Sequence, residues 1–455
     1  MANTYLSRTF GSGGSPGTLT WTLSTWFKRS NLTGEHVFMS SYINSAKYVV
    51  LKINGNNKFE FRVYNSADQW RYTTTMKFMD TSAWYHLVIS FDSTQSTASE
   101  RVIIYINGER ITAFDASTTS GQNHNGDFNE AKLHTIGGRN SADYFNGYMS
   151  DFNFISGTRY LATDFGEIDT DTGEWRIKDM ATLTYGTNGF RILNDGNTIT
   201  DQSANSNNWT SNGAGVTNTE DCPSDVFATM NPLNVPTSNA PIFTNGNTYS
   251  QSATGGTQSS AFSGSSTLGM TAGKYYIEAK AVVTGDSRSG VGISGEASTQ
   301  AKNNDSGSGL SNSSYLYTSE GGTIYSPSGN ISGHPTYANN DIIGIAVDVT
   351  NLKVYFSKNG VFENSHNPSA GSGGISITAV SSTTDGAYFV SGGSTAGGGA
   401  SSAYSAMYFN FGNGYFGTTQ ITGTTYSPTV GNTGAVFKYA VPTNYTALST
   451  KGLNN

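Results

Sequence analysis

Two stretches of the chain share one plan: YHLVISFDSTQSTASERVIIYINGERI at residues 85–111 and IGIAVDVTNLKVYFSKNGVF at residues 343–362. Each is an alternating apolar run, a polar break, a second alternating run and then Asn-Gly. Alternation with a period of two is the mark of a strand with one buried face. Asn-Gly adopts the positive φ values of a tight hairpin turn at little cost. A chain punctuated this way is constrained to antiparallel sheet. The two stretches differ in alternation and surroundings, so they are one local solution used in two sandwiches and not copies of a repeat.

The same signals recur along the chain. Residues 18–30, TLTWTLSTWFKRS, alternate as a strand. YVVLKING (48–55) and KFEFRVYN (58–65) read as a hairpin, with Phe59, Phe61 and Val63 on one face and Lys58, Glu60, Arg62 and Tyr64 on the other. WYHLVISFD and RVIIYINGERI pair across the polar STQSTAS. KLHTIGGR (132–139) and FNGYMSDFNFISG (145–157) supply further strands. Gly147 and Gly157 mark turns, bulges or close approaches. No helical periodicity competes over residues 1–165, which are expected to form two sheets packed face to face.

Residues 166–245 mix strand-like fragments with polar runs and end in Pro223, Pro232, Pro236 and Pro241. They read as a connector with one or two added strands. Phe190, Ile192, Leu193 and Trp209 argue against a free linker, because such side chains need somewhere to pack. A second sandwich is expected over 246–417, and a C-terminal extension over 418–455. GKYYIEAKAVV (273–283) puts Tyr275, Ile277 and Ala279 on one face and Tyr276, Glu278 and Lys280 on the other. The expected fold is therefore all-β, with two antiparallel β-sandwich (jelly-roll) domains in tandem and a β-rich connector.

Composition narrows the partners. Charged residues are 13% of the chain, against about 25% in ordinary domains. The net charge is −7, and the 25 lysines and arginines form no basic stripe, which argues against nucleic acid. No stretch approaches the roughly 18 apolar residues of a membrane helix, so no membrane insertion is expected. The opening MANTYLSRTFGSGGSPG lacks the apolar core of a signal peptide, and a soluble protein without a cleaved leader is expected. Cys222 is the only cysteine, so the chain has no internal disulfide.

The first module resembles the laminin-G-like, concanavalin-like jelly-roll superfamily. The resemblance rests on LTWTLSTWFKRS, WYHLVISFD at 84–92, RVIIYINGERI at 101–111 and TIGGRNSADYFNGYMSDFNFISGTRY at 135–160, with Asp151 in the last strand. The second module resembles a SPRY-type sandwich through GKYYIEAK and DIIGIAVDVTNLKVYFSKNG. The combination, with LTYGTNGFRILN, DQSANSNNWTSNG and FKYAVPTNYTAL, is similar to tail-fibre and other virion surface proteins of tailed bacteriophages. This implies a virion component, on tail fibre or capsid surface, that attaches to a host glycan or surface receptor alongside other virion structural proteins. It also implies a homo-oligomer, with a trimer expected. The alternative is a structural or decorating capsid or tail protein with no receptor-binding role.

No enzyme is expected. GEIDTDTGEW at 166–175 offers Glu167, Asp169 and Asp171, similar to the carboxylate string of concanavalin-like glycan hydrolases but with Asp in the last place. On a regular strand Glu167 and Asp171 would stand roughly 13 Å apart, against the roughly 5–5.5 Å of a retaining pair. The flanks read as an acidic turn, with no apolar surroundings to raise a carboxyl pKa. The superfamily resemblance implies calcium at a sandwich rim, with Asp115, Asn125 and Asp127 as candidate ligands. His86 sits in an apolar strand and reads as structural, and no Gly-x-Ser-x-Gly elbow is present. The glycine-rich SGGSTAGGGASS at 391–402 lacks the lysine of a phosphate loop. Sugars are held by aromatic stacking and dense neutral hydrogen bonding. The candidate ligand-binding loop residues are Trp70, Tyr72, Asn123, Asn125, Asp127, Tyr144 and Asn146, with Tyr315, Tyr317, Tyr325 and Tyr337 in the second module.

Overall fold

The computed structural model describes residues 3–12, 17–170, 172–178, 180, 182–194, 199–235, 240–251, 263–283, 288–296, 313–319, 321–395, 405–422 and 434–454. The chain divides into two units, Met1–Asn218 and Thr219–Asn455. Each is built of antiparallel sheets packed face to face, so the fold is all-β with sandwiches in tandem.

The first unit begins with β1 (Tyr5–Thr9), β2 (Thr20–Arg29), β3 (His36–Asn44), β4 (Lys47–Ile53), β5 (Lys58–Asn65) and β6 (Asp68–Lys77). β7 (Tyr85–Asp92), β8 (Val102–Ile106), β9 (Glu109–Arg110), β10 (Phe114–Thr118), β11 (Leu133–Ile136) and β12 (Gly147–Ser156) follow. β13 (Gly166–Ile168), β14 (Trp175–Ile177), β15 (Phe190–Ile192) and β16 (Thr210–Asn212) complete it. One sheet has the order β10-β6-β5-β4-β3-β11-β1-β16 and the other β15-β12-β2-β7-β8-β9.

The core lies between these sheets. Trp21 on β2 stacks on Phe91 at 4.9 Å, and meets Phe61 at 5.8 Å and Phe128 at 5.4 Å edge-on. Phe61 comes from the eight-stranded sheet and Phe91 from the six-stranded one, so one indole joins both layers. Edge-on and offset contacts of this kind add about 0.5–1.5 kcal/mol each beyond the apolar area they bury. Phe190 and Trp209 join the same core, and β15 and β16 add strands to β12 and β1. The stretch 166–218 thus belongs to the first unit. Asn107 and Gly108, with φ of 48° and 83°, make the two-residue turn between β8 and β9. Gly147 is a close approach, because a Cβ there would stand 2.1 Å from the Lys28 carbonyl oxygen.

The second unit opens with β17 (Ile242–Thr244), β18 (Tyr249–Gln251), β19 (Ser263–Met270), β20 (Lys274–Val283), β21 (Arg288–Ser294), β22 (Ser314–Thr318) and β23 (Ile324–Tyr325). β24 (Ile342–Asp348), β25 (Lys353–Lys358), β26 (Val361–Phe362), β27 (Ile375–Ser376), β28 (Tyr388–Thr395) and β29 (Ser405–Asn410) follow. β30 (Tyr415–Phe416), β31 (Thr419–Gln420) and β32 (Thr446–Ala447) close it. The larger sheet runs β17-β18-β29-β20-β24-β25-β26 and the smaller β19-β28-β21-β22-β23. Tyr275, Ile277 and Ala279 face the core between them. Asn359 and Gly360 repeat the tight turn, with φ of 50° and 84°.

Tyr276 and Glu278 point the other way, under the C-terminal segment. Phe437, Tyr445 and Ala447 pack on Tyr276 and Tyr355 there. Glu278 is fully buried and holds this segment down. Its Oε2 accepts from the Lys438 amide at 2.8 Å and Asn410 Nδ2 at 3.2 Å; its Oε1 accepts from the Tyr439 amide at 2.8 Å and the Tyr276 hydroxyl at 3.3 Å. Burial pushes the Glu278 carboxyl above its ordinary pKa against the pull of these donors.

Glu278→Ala takes the acceptor from the Lys438 and Tyr439 amides and empties a buried position, and the expected cost to the second unit is about 3 kcal/mol. Calorimetry of the full chain should show that loss, with the segment around 435–447 becoming protease-sensitive. All six tryptophans, Trp21, Trp26, Trp70, Trp84, Trp175 and Trp209, lie in the first unit, so the tryptophan-detected melt should not move. An unchanged calorimetric profile would remove the carboxylate's role as a staple.

Candidate functional site

The outer faces of the two sheets of the first unit differ. On the six-stranded sheet, Ala162, Phe165, Met180 and Tyr185 lie over Val88 and Ile155. Among the described residues of this unit no such apolar layer lies over the eight-stranded sheet; Arg139 reaches across it to Tyr48 and Glu35 to Lys52.

That face is laid out by register. Tyr42 on β3 is opposite Tyr48 on β4, which is opposite Tyr64 on β5. Their rings stack at 6.3 Å and 5.3 Å, with interplanar angles of 23° and 24°. The Arg62 guanidinium lies 4.8 Å from the Tyr64 ring and 5.8 Å from that of Tyr48, and Arg139 lies 5.4 Å from Tyr48. Each cation also has a carboxylate: Arg62 Nε to Asp68 at 2.6 Å, Arg71 to Glu60 at 3.2 Å, Lys52 to Glu35 at 2.6 Å and Arg139 to Asp143 at 2.7 Å. Burial lifts the Tyr48 phenol above its ordinary pKa despite the two nearby arginines, so it stays a hydrogen-bond donor. Leu133 continues the surface on β11, more than half exposed. The result is a row of aromatic rings set among polar groups that already satisfy one another.

The residues expected to bind ligand are not brought together. Trp70 and Tyr72 are not loop residues; both lie on β6, turned inward, and the expectation for them is corrected. Trp70 is fully buried, edge-on to Phe91 at 5.1 Å, with Nε1 donating to the Asn125 carbonyl at 3.4 Å. Asn123, Asn125 and Asp127 lie on one loop, where the Asn125 side chain accepts from the Asp127 amide at 2.8 Å. Tyr144 leans on Tyr5 at 6.1 Å, and Asn146 accepts through its carbonyl from the Ser30 amide at 3.0 Å. In the second unit Tyr315, Tyr317 and Tyr337 are buried in the core. Tyr325 lies on the short edge strand β23.

Asp115, Asn125 and Asp127 cannot share one calcium ion. Asp115 pairs with Lys58 and Asp127 with Lys47 and Lys132. Lys47 is opposite Asn65, the far end of the strand that Lys58 begins. Seven residue steps separate the ends, roughly 23 Å. Among the described residues no group of three acidic, histidine or cysteine side chains is placed to hold a metal.

Two catalytic-looking sets resolve into structure. Glu167 and Asp169 sit in the β13–β14 region and share Arg176, at 3.0 Å and 2.6 Å; Asp171 lies outside the described residues, as does part of the glycine-rich stretch 391–402. Ser24 Oγ is 2.8 Å from His86 Nε2, which resembles a nucleophile and base. Trp175 Nε1 can only donate, however, and it lies 2.9 Å from His86 Nδ1. The ring proton therefore stands on Nε2, facing Ser24, and the imidazole has no lone pair to take the serine proton.

The residues missed were Tyr42, Tyr48 and Arg139. Alternation already put Arg62 and Tyr64 on a polar face, but which residues meet across strands depends on bulges in the β3–β4 and β5–β6 pairings.

Residues 7–161 match the concanavalin A-like lectin/glucanases superfamily. No curated protein matches the chain. Among solved structures, one from Bacteroides ovatus named for carbohydrate binding is 18% identical, with a TM-score of 0.30, covering 47% of this chain and 56% of that one. The chain thus spans little more than half of that protein. The SPRY domain of human HERC1 is 15% identical, with a TM-score of 0.28, covering 39% of this chain and 96% of that one. The CBM40 of the Ruminococcus gnavus IT-sialidase, bound to α2,3-sialyllactose, is 14% identical, with a TM-score of 0.23, covering 32% of this chain and 88% of that one.

Three buried histidines give the first unit a pH dependence. Burial holds His86 and His134 down to about 3, and burial with Arg29 nearby holds His36 down to about 4. An unfolded histidine titrates near 6.5, so below that value unfolding takes up protons that the folded unit refuses. The stability is whole above about 6.5 and is lost as the pH falls toward these depressed values. The unfolding free energy from urea titrations read by tryptophan fluorescence should fall between about pH 7 and 5, by on the order of 1 kcal/mol per pH unit for each ring. A flat profile would mean that the rings are not buried neutral.

Proposed function

We propose that the first unit is a glycan-binding module and that the outer face of its eight-stranded sheet is the contact surface. The observation that carries this is the row Tyr42–Tyr48–Tyr64 with Arg62 and Arg139 beside it. Half-buried tyrosines give rigid, amphipathic contact area at low entropic cost. Arginines and carboxylates held against one another can share hydrogen bonds with vicinal hydroxyls without losing their partners. An anionic polymer would have to break those pairs, so the surface suits neutral polyhydroxylated ligands. The match of residues 7–161 to a superfamily of lectins and glucanases supports the same reading.

The resemblance to bacteriophage tail-fibre and virion surface proteins extends the proposal to host attachment, with a glycan receptor on the host and other virion proteins as partners. In an oligomer, a trimer by that resemblance, weak contacts would be multiplied by avidity.

A glycan array probed with the full chain and with Tyr48→Ala tests the site. Retained glycans should lose roughly tenfold or more in apparent affinity in the variant, on the scale of one buried aromatic contact, while the tryptophan-detected melt stays in place. Equal binding by both proteins would remove the sheet face from the proposal, and an array without retained glycans would remove glycan binding. Electron microscopy of the parent particle addresses attachment. Projecting copies support it, and a flat layer bridging capsomers overturns it.

A further inference from the structure

Arg29 ends β2 on the inward side of the sandwich, two residues beyond the core residue Phe27. It is fully buried. Its Nη1 donates to Asn57 Oδ1 at 2.7 Å and to the Phe78 carbonyl at 2.7 Å. Both acceptors are neutral. Its Nε and Nη2 meet no acceptor among the described residues. These two nitrogens form one edge of the guanidinium, the edge that a carboxylate meets with two parallel hydrogen bonds.

The surrounding chain does not lack acids. At this end of the sandwich Glu35 pairs with Lys52, Asp143 with Arg139 and Asp115 with Lys58. The Asp80 carboxylate accepts from the Ser82 amide at 2.7 Å and hydroxyl at 2.6 Å. Four carboxylates thus have partners other than the buried guanidinium. A buried charge without a counter-ion is costly, and burial pulls Arg29 down to about 10 even though the nearby Tyr85 phenol works to raise it. The rim over it is made of turns: the Asn54–Asn57 hairpin loop, the segment after β6 and the approach to Gly147. Met76 near the end of β6 and Met79 just beyond it are exposed, at 37% and 46%, on either side of the buried Phe78. Methionine is the apolar side chain that adapts most readily to a ligand.

The geometry points to a carboxylate-binding site at this rim, in which the Nε and Nη2 edge of Arg29 receives the carboxylate of a small ligand under the segment after β6. The site is separate from the tyrosine face and stands whether or not that face binds glycan. Two sources share the chemistry, a free small carboxylate and the carboxylate of an acidic sugar.

The test is the tryptophan-detected melting temperature of the full chain at constant ionic strength, titrating formate or galacturonate against chloride. At a hundredfold excess over Kd, a carboxylate bound only by the folded unit should raise it saturably by about 5–10 °C. Arg29→Lys keeps the charge but lacks the two-nitrogen edge, and should abolish the response. A rise with formate assigns the site to small free carboxylates; a rise with galacturonate alone assigns it to acidic sugars. Equal effects of chloride and formate, or no rise with either carboxylate, would overturn the proposal. If Arg29→Lys does not fold, the wild-type titrations still decide; a response that survives in a folded Arg29→Lys also overturns it.

Discussion

The contact of Trp21 with Phe61, Phe91 and Phe128 is what the first unit depends on. It takes rings from both sheets and from a loop and locks them in one packing. Strand side chains alternate, so fixing Phe61 inward fixes Glu60 and Arg62 outward. The cross-strand register then sets Tyr48 beside Tyr64 and Tyr42 beside Tyr48. A slip of one residue would turn the tyrosine row into the core and expose Val49, Phe61 and Val63. The candidate binding face is therefore the reverse side of the aromatic core, and its order comes from the core rather than from its own contacts.

Much of this was legible in sequence, and for a definite reason. Hairpins such as 48–65 and 342–362 are local, so alternation and Asn-Gly turns state both the strands and their pairing. The faces of 273–283 also follow from alternation alone, with Tyr275, Ile277 and Ala279 inward and Glu278 outward. What sequence could not give is anything that depends on distant partners. DQWRYTTTMK carries its bulky residues on alternate positions, yet Trp70 and Tyr72 look like exposed binding aromatics until β5 and β10 are laid beside them. Asp115 and Asp127 are twelve positions apart in a polar stretch, but the chain between them passes from one end of the sheet to the other. The hold of Glu278 on Lys438 and Tyr439 spans 160 and 161 residues and leaves no local pattern.

Glu278 and Arg29 handle buried charge in opposite ways, and the contrast separates a staple from a receptor. Glu278 is a buried carboxylate whose two oxygens are filled by four donors of the chain itself, two of them amides of the segment it secures. Its hydrogen-bonding capacity is consumed by folding, so nothing further can be recognised there. Arg29 is a buried guanidinium in which the chain engages one nitrogen, twice, with neutral oxygens, while Nε and Nη2 meet no acceptor among the described residues. A purely structural cation could have been given one of the four nearby acids, as Arg62, Arg71, Lys52 and Arg139 were on the open sheet face. Where a chain pairs the cations around its tyrosine row and leaves a fully buried guanidinium its carboxylate-shaped edge, the remaining capacity is directed at something other than the chain.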